Sequence, residues 1–459
     1  MRNMRKPRPD VASTKTDFVM NVAATQIAPV ASASAFDAVR ARLPGSEPVT
    51  ERRQASFEAY ASKGLPNRRI EDWKYTDLRV LMREVLPLAA APDEAALQRA
   101  AAALAQLETR DTTKLVLVDG VFAPSLSDHA GLEAAIEIRS LADVLGDDGN
   151  ASRADLLNIK ASADAMISLN AAMATDGVLI TVADGASVGK PIHIVHVATQ
   201  SKAASYTRSF LKLGNGARVT FVESFVGAAG AASYQANDAV VIWVGDGAEL
   251  EHVRLMEDAL DAINISTAVF TVGAKAKLNT LNLTSGGGVS RYQGFVSIAG
   301  EGAHVATNGV NLLKGTQHGD TTLVLNHVVP HCTSREVFRA VLDGRAHSVF
   351  QGRINVHQPA QKTDAKMMTR ALLLSDEAEA DNKPELEIFA DDVTCGHGST
   401  TGALDESLLF YLRARGLSEK DAQSLLIQAF IGEAIESIAD DGLRELAIAA
   451  GERWLEARS

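Results

Sequence analysis

The residues in this sequence best suited to metal chemistry are Cys395 and His397, which are separated only by Gly396. In an extended segment, side chains two positions apart lie on the same face, so the thiol and the imidazole would be neighbours. A thiolate and an imidazole together suit zinc or iron-sulfur ligation. Two ligands do not complete a metal site. The pair therefore either packs as ordinary side chains or contributes to a site shared with a partner.

Other candidate metal ligands are scattered along the chain. His193 and His196 are three apart in a strand-like run, which places them on opposite faces and disfavours a shared metal. For these two, and likewise for His318, His327 and His331, we expect ordinary hydrogen-bonded roles. The second cysteine in the sequence is Cys332, to which we assign no function.

One segment imitates a phosphate-binding loop. It contains Gly185 and Gly189 followed by Lys190, but three residues separate the glycines where the motif has four. Pro191 also replaces the Ser or Thr that would bind magnesium. The sequence therefore predicts no nucleotide site here.

Composition limits the classes of function. The chain has 459 residues, a net charge of -12, 46% hydrophobic residues and two cysteines. The negative charge argues against a nucleic-acid partner, whose phosphates require a basic face. Two cysteines exclude a disulfide framework and fit a reducing cytosol. Because no run of 18 apolar residues occurs, we expect no membrane span and a cytoplasmic location.

The elements that must position Cys395 and His397 follow from the order of patterns along the chain. We predict a disordered leader over 1–35, a helical region over 36–110 and a connecting α/β segment over 111–176. In that segment Asp119-Gly120 between apolar runs indicates a hairpin. A β-rich core is predicted over 177–404, and helices that begin with Asp405 as an N-cap are predicted over 405–459.

A repeated turn motif identifies the architecture of the core. Small turns followed by β-branched runs place alanines at nearly regular intervals, at Ala186, Ala217, Ala248, Ala276 and Ala303, and more loosely at Ala346 and Ala378. A turn and a strand that recur about every 30 residues are typical of a solenoid whose coils bury their faces on one another. The pattern predicts seven or eight coils. A β-sandwich remains the alternative, although its turns should recur roughly every 8 to 12 residues.

Several segments resemble the SufB/SufD family of the SUF iron-sulfur cluster assembly system. The similarity is strongest over 386–402 and 409–416, the first of which includes Cys395 and His397, and it extends through 350–354, 361–364, Leu169-Asn170 and 69–76. The Cys-x-His-Gly form resembles the SufD branch, because the SufB branch has more cysteines and a His-Glu pair in that region.

The resemblance implies a right-handed parallel β-helix flanked by N-terminal and C-terminal helical regions. It implies a non-catalytic scaffold that pairs with a SufB-like subunit, with a transient iron-sulfur cluster at the interface, where His397 is a metal ligand shared with the partner and Cys395 lies beside it. It also implies that a SufC-like ABC ATPase docks on the C-terminal helices. A reduced flavin is possible in the complex.

Three alternatives remain open from the sequence. The chain could be a SufB-like paralogue, or a purely structural scaffold without cluster chemistry. It could also be a β-helix carbohydrate-active enzyme, which would need clustered carboxylates. Within the predicted β-rich core, Asp391-Asp392 is the only pair of adjacent aspartates, and in a strand two adjacent residues would point to opposite faces.

Overall fold

The computed structural model describes residues 33–107, 111–128, 134–147, 151–159 and 162–458. The predicted leader lies outside these residues, apart from its last three positions. The described helices are α1 (Ala33–Arg40), α2 (Glu47–Lys63), α3 (Leu78–Leu81), α4 (Glu94–Leu104), α5 (Leu141–Gly146), α6 (Ala165–Met173), α7 (Glu406–Ala414), α8 (Glu419–Ile435) and α9 (Asp441–Arg458).

The strands begin with a connecting segment and continue into a regular series. They are β1 (Thr113–Val118), β2 (Val121–Phe122), β3 (Ile136–Ser140), β4 (Val178–Val182), β5 (Ile192–Ala198), β6 (Ala204–Leu213), β7 (Arg218–Gly227), β8 (Gln235–Val244), β9 (Glu249–Glu257), β10 (Ile263–Val272), β11 (Lys277–Thr284), β12 (Val289–Ile298), β13 (His304–Leu313), β14 (His318–His327), β15 (Thr333–Leu342), β16 (His347–Val356), β17 (Asp364–Leu373), β18 (Glu379–Ile388) and β19 (Thr394–Gly402).

The strands form two sheets that enclose one apolar core. Sheet A contains β3, β4 and the even-numbered strands from β6 to β18, and sheet B contains β2, β1, β5 and the odd-numbered strands from β7 to β19. From β4 to β19 the chain alternates between the sheets, and each strand pairs in parallel with the strand two further on. Two strands make one coil, so the predicted solenoid is confirmed and has eight coils. We call its interior the lumen.

The repeated turn carries the coils from sheet A to sheet B. Asx side chains stack across it: the amide of Asn215 donates to Asp184 Oδ1 at 2.8 Å, and the amide of Asp246 donates to Asn215 Oδ1 at 2.9 Å. The residue after each Asx adopts positive φ, as at Gly216 (68°) and Gly247 (65°), which favours glycine. The alanines that follow lie in tightly packed positions, and four are fully buried, namely Ala217, Ala248, Ala276 and Ala303.

The looser members of the repeat belong to the opposite turn, which corrects the sequence interpretation. Ala346 precedes β16 and Ala378 precedes β18, so both lie where the chain passes from sheet B to sheet A. Ala303, in contrast, precedes β13 in sheet B. The interval between Ala303 and Ala346 is therefore one and a half coils, and a small residue is used on both sides of the solenoid.

The N-terminal end of the solenoid is capped. The hairpin predicted at Asp119-Gly120 is confirmed by the antiparallel pairing of β1 with β2. Strand β3 pairs antiparallel with β4 and ends sheet A. These antiparallel strands interrupt the parallel stack at this end.

The charged and aromatic segment over 69–76 contains a 3-10 turn and fastens the N-terminal region to the outer face of sheet A. Trp73 Nε1 donates to Asp164 Oδ2 at 2.6 Å, and Arg291 Cζ lies 3.8 Å from the centre of the Trp73 ring. Thr76 donates to Asp320, which also pairs with Arg291. The segment therefore bridges the start of α6 and two coils of sheet A.

The C-terminal helices α8 and α9 cover the outer face of sheet B. Ile427, Ile431 and Leu443 are buried in one apolar cluster with sheet residues that include Val253 and Leu281. The N-cap predicted at Asp405 is confirmed, since its Oδ1 accepts from the amide of Ser407 at 2.8 Å. None of the described helices combines the length and the apolar character needed to cross a lipid bilayer.

Candidate interface site at the last coil

The last coil, formed by β18 and β19, leaves both sheets with an open edge. Each strand pairs on one side only, β18 with β16 and β19 with β17, and each ends its sheet among the described strands. An edge strand presents unpaired amide and carbonyl groups that another strand can pair with. No residue of β18 or β19 is buried, whereas most residues of β16 are.

Cys395 and His397 both lie on β19, at the lumenal row of this edge. The register aligns Cys395 with Ala365 and His397 with Met367, and both of these β17 residues are buried in the lumenal core. The extended conformation predicted for the segment is confirmed, so the two side chains share a face. Cys395 is half-buried against the core and His397 is exposed.

The environment of Cys395 keeps its thiol protonated. Burial raises the pKa of Cys395, and the nearby carboxylates of Asp364 and Glu336 raise it further, while the amide of Ala365 partly offsets them. A thiol must lose its proton to bind a metal. Cys395 would therefore become a ligand only when a cation arrives.

Glu336 lies in the same lumenal row, two coils below the edge. The register connects Glu336 on β15 to Met367 on β17 and then to His397 on β19. Glu336 is 1% exposed, and neither of its carboxylate oxygens has a well-formed hydrogen bond among the described residues. Burial raises the pKa of Glu336 to about 8, which Ser334 and Arg335 only partly offset.

A paired charge network fills the lumen in earlier coils. Arg254 Nη1 donates to Glu223 Oε2 at 2.9 Å, and Arg254 Nη2 donates to Asp238 Oδ2 at 2.9 Å. His252 Nε2 lies 2.8 Å from the same Glu223 oxygen. Arg254 also stacks on Phe225, with Cζ 4.2 Å from the ring centre. Although burial opposes it, Arg254 with His252 holds the pKa of Glu223 below its ordinary value.

Sequence reasoning missed this network, although a signal was present. Glu223 and Arg254 are separated in the sequence by the length of one coil, and the register places them side by side. Opposite charges separated by the repeat period therefore predict ion pairs between neighbouring coils of a solenoid.

His193, His327 and Cys332 have ordinary surroundings in the structure. His193 faces outward and lies 2.8 Å from Ser224 Oγ, whereas His196 faces the lumen, so the predicted opposite faces are confirmed. His327 Nε2 lies 3.0 Å from Ser334 Oγ. Cys332 is fully buried at the start of β15, two coils before β19, so the structure does not bring the two cysteines together.

Asp391 and Asp392 lie in a bend before β19, and not in a strand as the sequence interpretation assumed. Asp392 forms an ion pair with Lys362. A carboxylate neutralised in this way does not form the paired acidic site of a glycosidase.

A second exposed surface lies on α7, which has no buried residue. Leu408, Phe410 and Tyr411 are 51%, 74% and 54% exposed. Beside them, a groove of about 290 Å³ lies between the last coils of sheet B and α8, and its lining includes Leu404 and Phe430. Leu408 and Tyr411 are three positions apart and neighbour each other on the helix surface. Exposed apolar side chains that cluster in this way mark a candidate protein-binding surface.

Comparison with known proteins gives the family. Residues 196–430 match the model described as "SUF system FeS cluster assembly, SufBD core domain", and residues 37–194 match "SufBD protein N-terminal region". The chain is 31% identical over 433 residues to the iron-sulfur cluster assembly protein SufD of Escherichia coli, covering 89% of this chain and 97% of that protein.

Other relatives agree. A SufBD family iron-sulfur cluster assembly protein of Synechocystis is 31% identical over 417 residues, covering 87% of this chain and 90% of that protein. SufD of Bacillus subtilis is 24% identical over 402 residues, with 84% and 88% covered. The solenoid core, the N-terminal segment fastened to it and these matches together show that the chain belongs to the SufBD family of the SUF iron-sulfur cluster assembly system.

Proposed function

We propose that this protein is a SufD-like scaffold subunit that pairs with a SufB-like subunit through its last coil. The observation that carries the proposal is the coincidence of two features in one coil. Both sheets end there in open edges, and the lumenal row at that end presents Cys395 and His397. Pairing of a second solenoid with β18 and β19 would continue both sheets and place the two side chains at the junction.

The chemistry of the pair fits a nascent iron-sulfur cluster as cargo. An imidazole nitrogen and a thiolate both ligate iron in known clusters. The half-buried thiol of Cys395 stays protonated until a cation is present, and exposed His397 can reach across the junction. One chain then supplies part of a ligand set and the partner supplies the rest. The chain itself performs no catalysis in this scheme, and no residue is assigned to a flavin.

The ATPase of the system would dock on α7. Its exposed apolar side chains Leu408, Phe410 and Tyr411 are the largest such group on one described helix. Removal of everything after Leu404 is a poor test, because α8 and α9 bury Ile427, Ile431 and Leu443 against sheet B. Single substitutions on α7 leave that packing in place.

Copurification tests the proposed subunit interface. Phe389 follows β18 and is 60% exposed, so Phe389→Glu places a charge at the open end without disturbing the core. Leu260→Glu is the matched control, since Leu260 is 58% exposed in a turn between β9 and β10. We expect Phe389→Glu to reduce recovery of the SufB-like subunit at least tenfold and Leu260→Glu to leave it unchanged. Equal recovery by both variants would place the interface elsewhere.

A parallel experiment tests α7. We expect Phe410→Ser to reduce recovery of the SufC-like ATPase severalfold, with no change in the recovery of the SufB-like subunit. Val80→Ser is the control, because Val80 is 64% exposed in the N-terminal region. Full recovery of the ATPase with Phe410→Ser, Tyr411→Ser and their combination would contradict docking on this helix.

A further inference from the structure

Three strands of sheet A place metal-ligating side chains at one register position on the outer face. His318 on β14 aligns with His347 on β16, and His347 aligns with Glu379 on β18. Asp381 lies two residues along β18 on the same face, and its Oδ2 is 2.9 Å from His347 Nε2. One donor atom each from His347, Glu379 and Asp381 lie within 4.8 Å of one another.

Within the described part of the chain, no lysine or arginine forms an ion pair with the carboxylates of this cluster. These are Glu379 and Asp381, and among the described residues the one salt-bridge partner of Asp381 is His347. Another carboxylate on the same strand has such partners, since Arg353 and Lys383 contact Glu385. Two neighbouring carboxylates beside an imidazole thus lack a fixed cation.

The lumen contains a similar cluster of three potential metal ligands. His196, Glu223 and Asp238 also place their donor atoms within 4.8 Å of one another. There, however, Arg254 contacts both carboxylates at 2.9 Å and already supplies the positive charge. A divalent ion would have to displace a buried guanidinium, so that cluster is not a metal site.

His318 supplies a second, independent observation. Thr76 has one hydroxyl proton and donates it to Asp320, so its oxygen accepts from His318 Nε2 at 2.9 Å. His318 therefore carries its proton on Nε2, and its Nδ1 holds a lone pair. Among the described residues, the one side-chain hydrogen bond of His318 is that to Thr76, and the residue is 6% exposed. The His318 ring meets the His347 ring edge-on, with centres 4.8 Å apart.

We propose that His347, Glu379 and Asp381, with His318 beside them, form a binding site for a divalent first-row cation on the outer face of sheet A. Imidazole and carboxylate ligands without a thiolate suit Zn²⁺, Fe²⁺ or Mn²⁺. The ion replaces the His347–Asp381 hydrogen bond with two metal-ligand bonds. Because the ligands come from β16 and β18, the ion clamps the edge strand β18 to its neighbour. The site is separate from Cys395 and His397 and does not depend on their proposed role.

Titration of the purified full chain with Co²⁺, followed by competition with Zn²⁺, tests the site. We expect one equivalent to bind, and affinity to fall at least tenfold in His347→Ala and in Asp381→Asn. His304→Ala, which removes an exposed histidine of sheet B, should bind like the wild type. Absence of stoichiometric binding would overturn the proposal, as would binding that is lost only in the Cys395→Ser/His397→Ala variant.

Hydrogen exchange gives a second readout, which remains informative even if a variant folds poorly because the wild-type chain is compared with and without metal. We expect saturating Zn²⁺ to slow amide exchange in β18 of the wild-type chain. In Glu379→Gln, Zn²⁺ should slow the exchange of β18 less, so that the rate stays closer to that of the metal-free protein. Unchanged exchange of β18 in the presence of bound Zn²⁺ would contradict the clamp.

Discussion

The middle of the solenoid and its last coil use similar side chains in opposite ways. In the middle, Glu223, His252 and Arg254 are fully buried, and each contacts an oppositely charged or hydrogen-bonding partner within 2.9 Å. In the last coil, Cys395 is half-buried, and His397 is exposed at an open edge. The chemistry of the residues alone does not distinguish the two regions.

The comparison shows that burial and the presence of a bonding partner decide whether a polar side chain stabilises the fold or is available to bind a ligand. Charged groups removed from water persist only when they are paired, so a complete network indicates a contribution to the fold. Metal-ligating side chains at an open edge, in contrast, are free to bind a metal ion from outside. Glu336 lies between the two regions, because it is buried like the network yet lacks a charged partner within hydrogen-bonding distance among the described residues.

Loss of Arg254 should cause the largest damage. Arg254→Met leaves Glu223 and Asp238 buried without their cation, which costs about 3–5 kcal/mol of unfolding free energy. Arg218→Met is the matched control on the same sheet, because Arg218 is 68% exposed and lies 3.7 Å from Glu249. Its loss should cost at most about 1 kcal/mol. Urea unfolding measures both values, and equal stability of the two variants would refute a structural role for the network.

Glu336 should make stability depend on pH. Its pKa in the folded protein, about 8, exceeds its ordinary value of 4.5. The folded state therefore binds the extra proton, and stability falls as the pH rises from about 4.5 through 8. Glu336→Gln removes this dependence. The free energy of unfolding of the variant should therefore rise relative to that of the wild type by about 1.4 kcal/mol per pH unit in that window.

Urea unfolding of both proteins across this pH window checks the expectation. His193, His318 and His327 have pKa values lowered by burial to about 3, 4 and 4. They lower stability as the pH falls below 6.5, but they are common to both proteins and cancel in the difference. A constant difference between wild type and variant would mean that Glu336 titrates normally.

The fold was largely predictable because its repeat is imposed locally. The early coils have a residue with positive φ and a small buried residue at the turn, and this pattern appears in the sequence at Gly216-Ala217 and Gly247-Ala248. The lumenal pairs and the His347 cluster were not predicted, because they depend on which residues the register aligns. His318, His347 and Glu379 follow one another by one coil each, so knowledge of the length of each coil would have revealed them.

The two cysteines should differ in reactivity and in the stability cost of their substitution, by less than the arginine variants above. Cys332 is fully buried, with its Sγ 3.4 Å from the Gly300 carbonyl oxygen, whereas Cys395 is half-buried at the edge. At an alkaline pH that ionises thiols, we expect iodoacetamide to modify Cys395 in the folded chain and Cys332 only after unfolding. Cys395→Ser should change stability by less than about 1 kcal/mol, and Cys332→Ser should cost about 1–3 kcal/mol, because it buries a hydroxyl. Equal modification of both thiols in the folded chain would contradict this contrast.

The most direct test of the role of the last coil is the iron and acid-labile sulfide content of the assembled complex. The chain is coexpressed with its SufB-like and SufC-like partners as wild type, as His397→Ala and as His304→Ala. His304 is an exposed histidine on β13, six strands before β19 in the chain, and hydrogen-bonds Thr333 at 2.7 Å. We expect all three complexes to assemble, the His304→Ala complex to keep its cluster and the His397→Ala complex to lose most of it. Wild-type iron and sulfide in a fully assembled His397→Ala complex would contradict the proposed role of His397.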